Sequence, residues 1–163
     1  MMAGQLRSGL ALLIALIIVG AALASAGSLQ PHTVGPKDKC PVCGMFVAKF
    51  PGFAAEIRFG DGSSVHFDGA KDMFKYYLYL SRYAPGRKTA DIGAVFVTDY
   101  YDLTKVNGLS AYYVMGSDVY GPMGRELIPF GSESKARDFR NDHRGTRIIR
   151  LRDVTPTLLN QLD

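Results

Sequence analysis

The only two cysteines of this 163-residue chain fall in one hexapeptide, Cys40-Pro41-Val42-Cys43-Gly44-Met45. Proline and glycine within so short a stretch bend the backbone into a tight knuckle, and the knuckle gathers two thiols and a thioether. No helix is expected after it, because β-favouring Phe46-Val47 and then Pro51-Gly52 follow. That context differs from thiol–disulfide oxidoreductase motifs, where a helix N-terminus lowers the thiol pKa. Thiolates and thioethers are soft donors and select Cu(I) over harder cations. Met45 favours that reading, whereas the thiol pair alone suits a disulfide, redox exchange or zinc equally well. Zinc takes four ligands, so histidines or a second chain would have to complete a zinc knuckle.

The N-terminus reads as an export signal spanning residues 1–26. Arg7 is the only charged side chain before Lys37, Leu10 to Val19 is unbroken apolar sequence, and Ala24-Ser25-Ala26 supplies a small-x-small cleavage pattern. The alternative is an uncleaved membrane anchor, since the apolar run approaches the length that spans a bilayer. Either way the rest of the chain is expected on the periplasmic or extracytoplasmic side. An oxidising compartment favours disulfides. A two-residue spacer nevertheless closes a small, strained, easily reduced ring, so a reactive or metal-binding pair is the preferred use of Cys40 and Cys43.

Removing residues 1–26 leaves 137 residues, enough for one domain with its own core. Eighteen basic and fifteen acidic residues remain, a net charge of +3 that does not argue for nucleic acid. Arg137, Arg140, Arg144, Arg147, Arg150 and Arg152 crowd the end of the chain; a solvated face is the expected reading, and a dock for an acidic partner the alternative.

Residues 27–39 read as a polar linker with Pro31 and Pro36, and residues 40–163 as the functional domain. Phe53 to Phe59 and Ser64 to Phe67 read as a hairpin turning at Gly60-Asp61-Gly62. Ala70 to Tyr83 carries a helical apolar face of Met73, Phe74, Tyr77, Leu78 and Leu80. Strands are expected over 94–99, 111–115, 126–130 and 146–151, helices over 132–141 and 155–162, a turn at Asn107-Gly108, and a glycine-rich loop over 116–124. The halves echo each other, so the expected class is α+β, two similar ββα units with small antiparallel sheets.

No GxSxG, Walker loop or HExxH is present, and no enzymatic role is expected. His66, between Val65 and Phe67, should face away from its apolar neighbours and reads as a surface residue. Met123 in Gly121-Pro122-Met123-Gly124 sits on an irregular loop that is poorly placed to fill a core, and is a candidate thioether ligand or contact residue. Met115, inside a strand pattern, reads as core.

Cys43-Gly44-Met45, then His66-Phe67-Asp68, Tyr113-Val114-Met115-Gly116-Ser117, Gly121-Pro122-Met123-Gly124 and Pro129-Phe130 run in an order that resembles the NosL family, accessory proteins of nitrous-oxide reductase assembly. The resemblance covers about Lys37 to Arg140. It implies an exported Cu(I)-binding protein that delivers copper to maturation of the reductase's copper-sulfide centre or to a related copper acceptor. Cys43 and Met45 match the family's copper-binding pair, with Cys40 as a further donor. The sequence departs from that pattern in pairing Cys40 with Cys43 and in lacking a lipid-accepting cysteine after the apolar run. The hexapeptide also resembles YHS/TRASH-type metal domains, but those add a second cysteine pair where this chain has Phe67-Asp68-Gly69-Ala70.

Overall fold

The computed structural model describes residues 29–163; the signal expected over 1–26 lies outside the described residues. Alternation along β1 (Ala55–Phe59) sets the first sheet: Ala55, Ile57 and Phe59 enter the main core, and Glu56 and Arg58 take the opposite face. β1 lies between β2 (Ser64–Phe67) and β3 (Ile92–Thr98), with β4 (Lys105–Asn107) outside β3, all antiparallel. The β1–β2 turn is fixed by Asp61, whose Oδ1 accepts from the Ser63 amide at 3.0 Å and hydroxyl at 2.7 Å.

The helix expected to run to Tyr83 breaks at Tyr79, giving α1 (Ala70–Leu78) and α2 (Leu80–Tyr83). Within α1, Tyr76, three residues after buried Met73, turns inward rather than Leu78; it meets Phe67 edge-on, and Tyr83, beyond the break, stacks on it.

The second half repeats the plan. β5 (Tyr112–Met115) lies between β8 (Ile128–Phe130) and β9 (Arg147–Ile149), and α3 (Glu133–Asp142) follows β8. Each unit is therefore ββα completed by a third strand, with its first strand central. The glycine-rich loop contains a small hairpin, β6 (Tyr120–Gly121) and β7 (Gly124–Arg125). Along β5, Tyr113 and Met115 point into the main core, as expected for Met115. Val114 points the other way, into a second cluster with Ile128, Phe130, Ala136 and Phe139. The terminal helix α4 (Pro156–Asn160) is capped by Thr155, whose hydroxyl accepts from the Leu158 amide. Among the described residues, no helix is long and apolar enough to cross a membrane.

Residues 29–38 are laid along the polar face of the first sheet. Leu29 abuts Gly93, Arg58 donates to the Gln30 carbonyl, and buried Glu56 accepts from the His32 amide at 2.9 Å. His66 does face away from its apolar neighbours, but this strap covers it. Its side chain is 9 % exposed, and its Nδ1 lies 2.8 Å from Asp38 Oδ2. The surface role expected for His66 is corrected accordingly, because alternation gives the face of a strand but not what lies over that face.

Candidate metal centre

The strap leads directly into the cysteine knuckle. The Cys40 amide donates to the Met45 carbonyl at 2.9 Å and the Gly44 amide to the Cys40 carbonyl at 2.8 Å, while Lys39 and Phe46 form an antiparallel bridge at the base. Gly44 has φ +79°, a conformation only glycine adopts without strain. Val47–Lys49 then forms a single 3₁₀ turn, so no α-helix opens at the cysteines.

Two carboxylates meet the knuckle. Asp68 follows β2 and Asp72 lies four residues on, in the first turn of α1, which puts both on one side of the helix start. The Cys40 thiol donates to Asp72 Oδ2 at 3.3 Å, and the Cys43 thiol to Asp68 Oδ1 at 3.3 Å and Oδ2 at 3.4 Å. One ligand atom from each of the four residues lies within 4.8 Å of the others, and among the described residues no other His, Cys, Asp and Glu group does this. Cys40, Asp68 and Asp72 are buried; Cys43 is half-buried and is the thiol that solvent or a partner reaches.

Both thiols are free. Burial pushes the Cys43 thiol up to about 11, and the charge and hydrogen bonding of Asp72 add to this. Burial likewise pushes Cys40 strongly upward, reinforced by Asp72 and Asp68. The empty site thus holds two protonated thiols, each donating toward a carboxylate. Loading a cation means exchanging thiol protons for metal.

Of the residues expected to bind metal, Cys40 and Cys43 come together. Met45 closes the same knuckle and is half-buried. Met123 is 45 % exposed at the tip of the β6–β7 hairpin, and its carbonyl accepts from Lys71 Nζ at 2.9 Å, beside Asp72 in sequence. Sequence reasoning missed Asp68 and Asp72. Locally they are two acids four apart, straddling the start of an amphipathic helix, a pattern that equally suits the helix dipole and does not point to the thiols.

Glu126 fixes the helix start that carries Asp72. The N-cap of α1 is Gly69, which has no side chain to cap with. Glu126 Oε1 takes that role from across the fold, accepting from the Lys71 amide at 2.6 Å and from its neighbour Leu127 at 2.8 Å. Gly69 is required by close approach, since a Cβ there would lie 2.2 Å from Glu126 Oε2. Gly69→Ala is therefore expected to cost about 1–3 kcal/mol of stability by overpacking, measured by urea unfolding of the reduced protein. An unchanged midpoint would show that Glu126 moves aside freely.

The family model for NosL matches residues 31–159. The chain belongs to the NosL family. A curated relative, the copper-binding lipoprotein NosL of Stutzerimonas stutzeri, is 29 % identical over 136 residues, which is 82 % of this chain and 70 % of that protein. The crystal structure of the copper chaperone NosL from Shewanella denitrificans superposes with a TM-score of 0.67 at 23 % identity, covering 78 % of this chain and 97 % of that one. The second likeness concerns the fold, and it agrees with the α+β class and small antiparallel sheets of this NosL-family chain.

Proposed function

We propose that this NosL-family chain is an exported metallochaperone that carries Cu(I) on Cys43 and Cys40, with Met45 as thioether donor, and hands it to a copper acceptor outside the cytoplasm. Nitrous-oxide reductase assembly is the acceptor pathway that family membership favours. The observation that carries this reading is the convergence of both thiols with Asp68 and Asp72. The thiolates supply soft donors for a soft ion. Burial, reinforced by the carboxylates, holds the thiols protonated in the absence of metal, and the carboxylates add negative charge that makes the loaded thiolates costly to keep. That balance suits a carrier, which must bind and then release. Catalysis is no part of this reading.

The same four side chains also make a four-donor set compatible with zinc, so metal analysis of protein purified under reductant separates the readings. Copper near one per chain supports the chaperone, and zinc replaces it with a zinc centre. Within the copper reading, competition against a Cu(I) chelator ranks the donors. Cys43→Ser is expected to weaken binding by at least ~100-fold, about 2.7 kcal/mol, and Cys40→Ser by less. Unchanged affinity in Cys43→Ser overturns the assignment. Met123→Ala tests the hairpin: weaker binding makes Met123 a ligand, and normal binding with slower delivery makes it a transfer residue.

A further inference from the structure

Several exposed features remain unexplained by the metal centre itself, and four exposed side chains lie at its end of the first sheet. Phe46, at the base of the knuckle, is 39 % exposed, with the ammonium groups of Lys39 and Lys49 over its ring at 5.0 and 5.7 Å. Among the described residues, neither lysine pairs with a carboxylate. Leu103, on the loop after β3, is 67 % exposed and held at φ +55°. A leucine there is unfavourable twice, once for its left-handed backbone and once for its wetted side chain. Yet the loop is built to hold it. Asp99 is buried and accepts from the amides of Tyr101 and Asp102 through Oδ1 and of Gly131 through Oδ2, while the Leu103 amide donates to the Asp99 carbonyl. Leu103 reaches Gly52, at the far end of the short segment that begins at Phe46.

We infer that Phe46, with Lys39 and Lys49 over its ring, and Leu103, at the other end of the segment that begins at Phe46, form the docking face for an acidic protein that receives the metal; this rests on the copper-carrier reading. Two observations choose the occupant. The unpaired lysines call for negative charge around an apolar contact. The chain enters the described fold at Leu29, against Gly93 at the start of β3, whereas Leu103 follows the end of β3, roughly 20 Å away along the strand. A membrane reached through the N-terminal segment would thus lie at the opposite end from this face. The hydrogen bonds of Asp99 fix the loop backbone that carries Leu103, which lowers the entropy lost on docking.

The test uses the chain from residue 27, loaded with Cu(I), and two synthetic CxxC acceptor peptides, one flanked by Asp, Glu and Leu, the other by Lys and Leu. Stopped-flow transfer to the acidic peptide is expected to be about tenfold faster at low salt. The double variant Lys39→Glu, Lys49→Glu should abolish or reverse that preference, while the charge-matched pair Arg137→Glu, Arg152→Glu should retain it. Leu103→Gly keeps the positive φ and removes only the side chain, so it should melt no lower than the parent yet transfer several-fold more slowly. Wild-type rates and preference in both the lysine and Leu103 variants overturn the proposal. So does a change in sedimentation of the free variants, which would make the face a self-association surface. Loss of binding to phosphatidylglycerol vesicles without any effect on transfer would make it a membrane contact, and overturns it too. Chelator affinity measured alongside separates failure of this face from failure of the copper reading.

Discussion

Raising the pH from 6 to 8 is expected to tighten Cu(I) binding about ten-thousand-fold, after correction for the chelator's own protonation. The number follows from proton release: each thiol that must ionise to bind contributes a factor of about ten per pH unit while it remains protonated in the empty site. Cys43, held near 11 by burial and by Asp72, is protonated throughout that range. Cys40, buried more deeply and also facing carboxylates, is protonated as well. Two thiolates give two protons, hence two decades per unit. Cys40→Ser should halve the slope to one decade per unit, which counts thiolates independently of affinity. A slope of one in the parent, together with unit slope in Cys40→Ser, would mean that only Cys43 ionises. A flat profile would remove thiolate ligation from the account altogether.

The local pattern was legible to the degree that it was self-contained. Ser64 to Phe67 was recovered to the residue because the hairpin is specified by its own alternation and by Gly60-Asp61-Gly62. The knuckle was legible for the same reason. The helix from Ala70 was read as too long, because the break at Tyr79 depends on how Tyr76 packs against Phe67 and Tyr83, which the helical period does not encode. β4 was missed, only its last residue falling in the turn expected at Asn107-Gly108, since Lys105-Val106-Asn107 is too short to alternate and becomes a strand only through pairing with β3. Half of the metal centre escaped for a related reason. Asp68 and Asp72 sit at an ordinary helix start, where acids favour the dipole anyway, and nothing local to them shows that two thiols 25 to 32 residues earlier fold back onto them.

The strap and His66 make the same point from the other side. Polar residues 29–38 and Glu56, His66 and Arg58 each read as solvated on their own. The strap, itself partly exposed, covers Glu56, Arg58 and His66, so a face marked polar by alternation is an interior face. The site inherits rigidity from this arrangement. Asp38, held by His66, also accepts the Val47 amide through its carbonyl, which fixes the base of the knuckle two residues before Cys40.

Replacing Glu126 with glutamine is expected to make the protein progressively more stable, relative to the parent, as the pH rises. Burial pushes the Glu126 carboxyl up to about 7, against the opposing pull of the Leu127 and Lys71 amides and the Lys71 charge. Because the folded value lies above the ordinary one of 4.5, the neutral acid is the form that folding favours. Its contribution is full below about pH 4.5 and is lost as the pH climbs through about 7, a swing on the order of 3 kcal/mol. Glutamine keeps a carbonyl oxygen for the Lys71 and Leu127 amides and never ionises, so it should cap α1 equally at every pH. Any fixed cost of fitting the amide group beside Gly69 cancels in the comparison. Urea unfolding of both proteins at pH 5 and pH 8, under reductant and without metal, should show the difference in stability shifting by about 2–3 kcal/mol in favour of the variant at the higher pH. A constant offset between the two pH values would mean that Glu126 is ionised across the whole range, and that the helix start beside Asp72 is capped by a full negative charge.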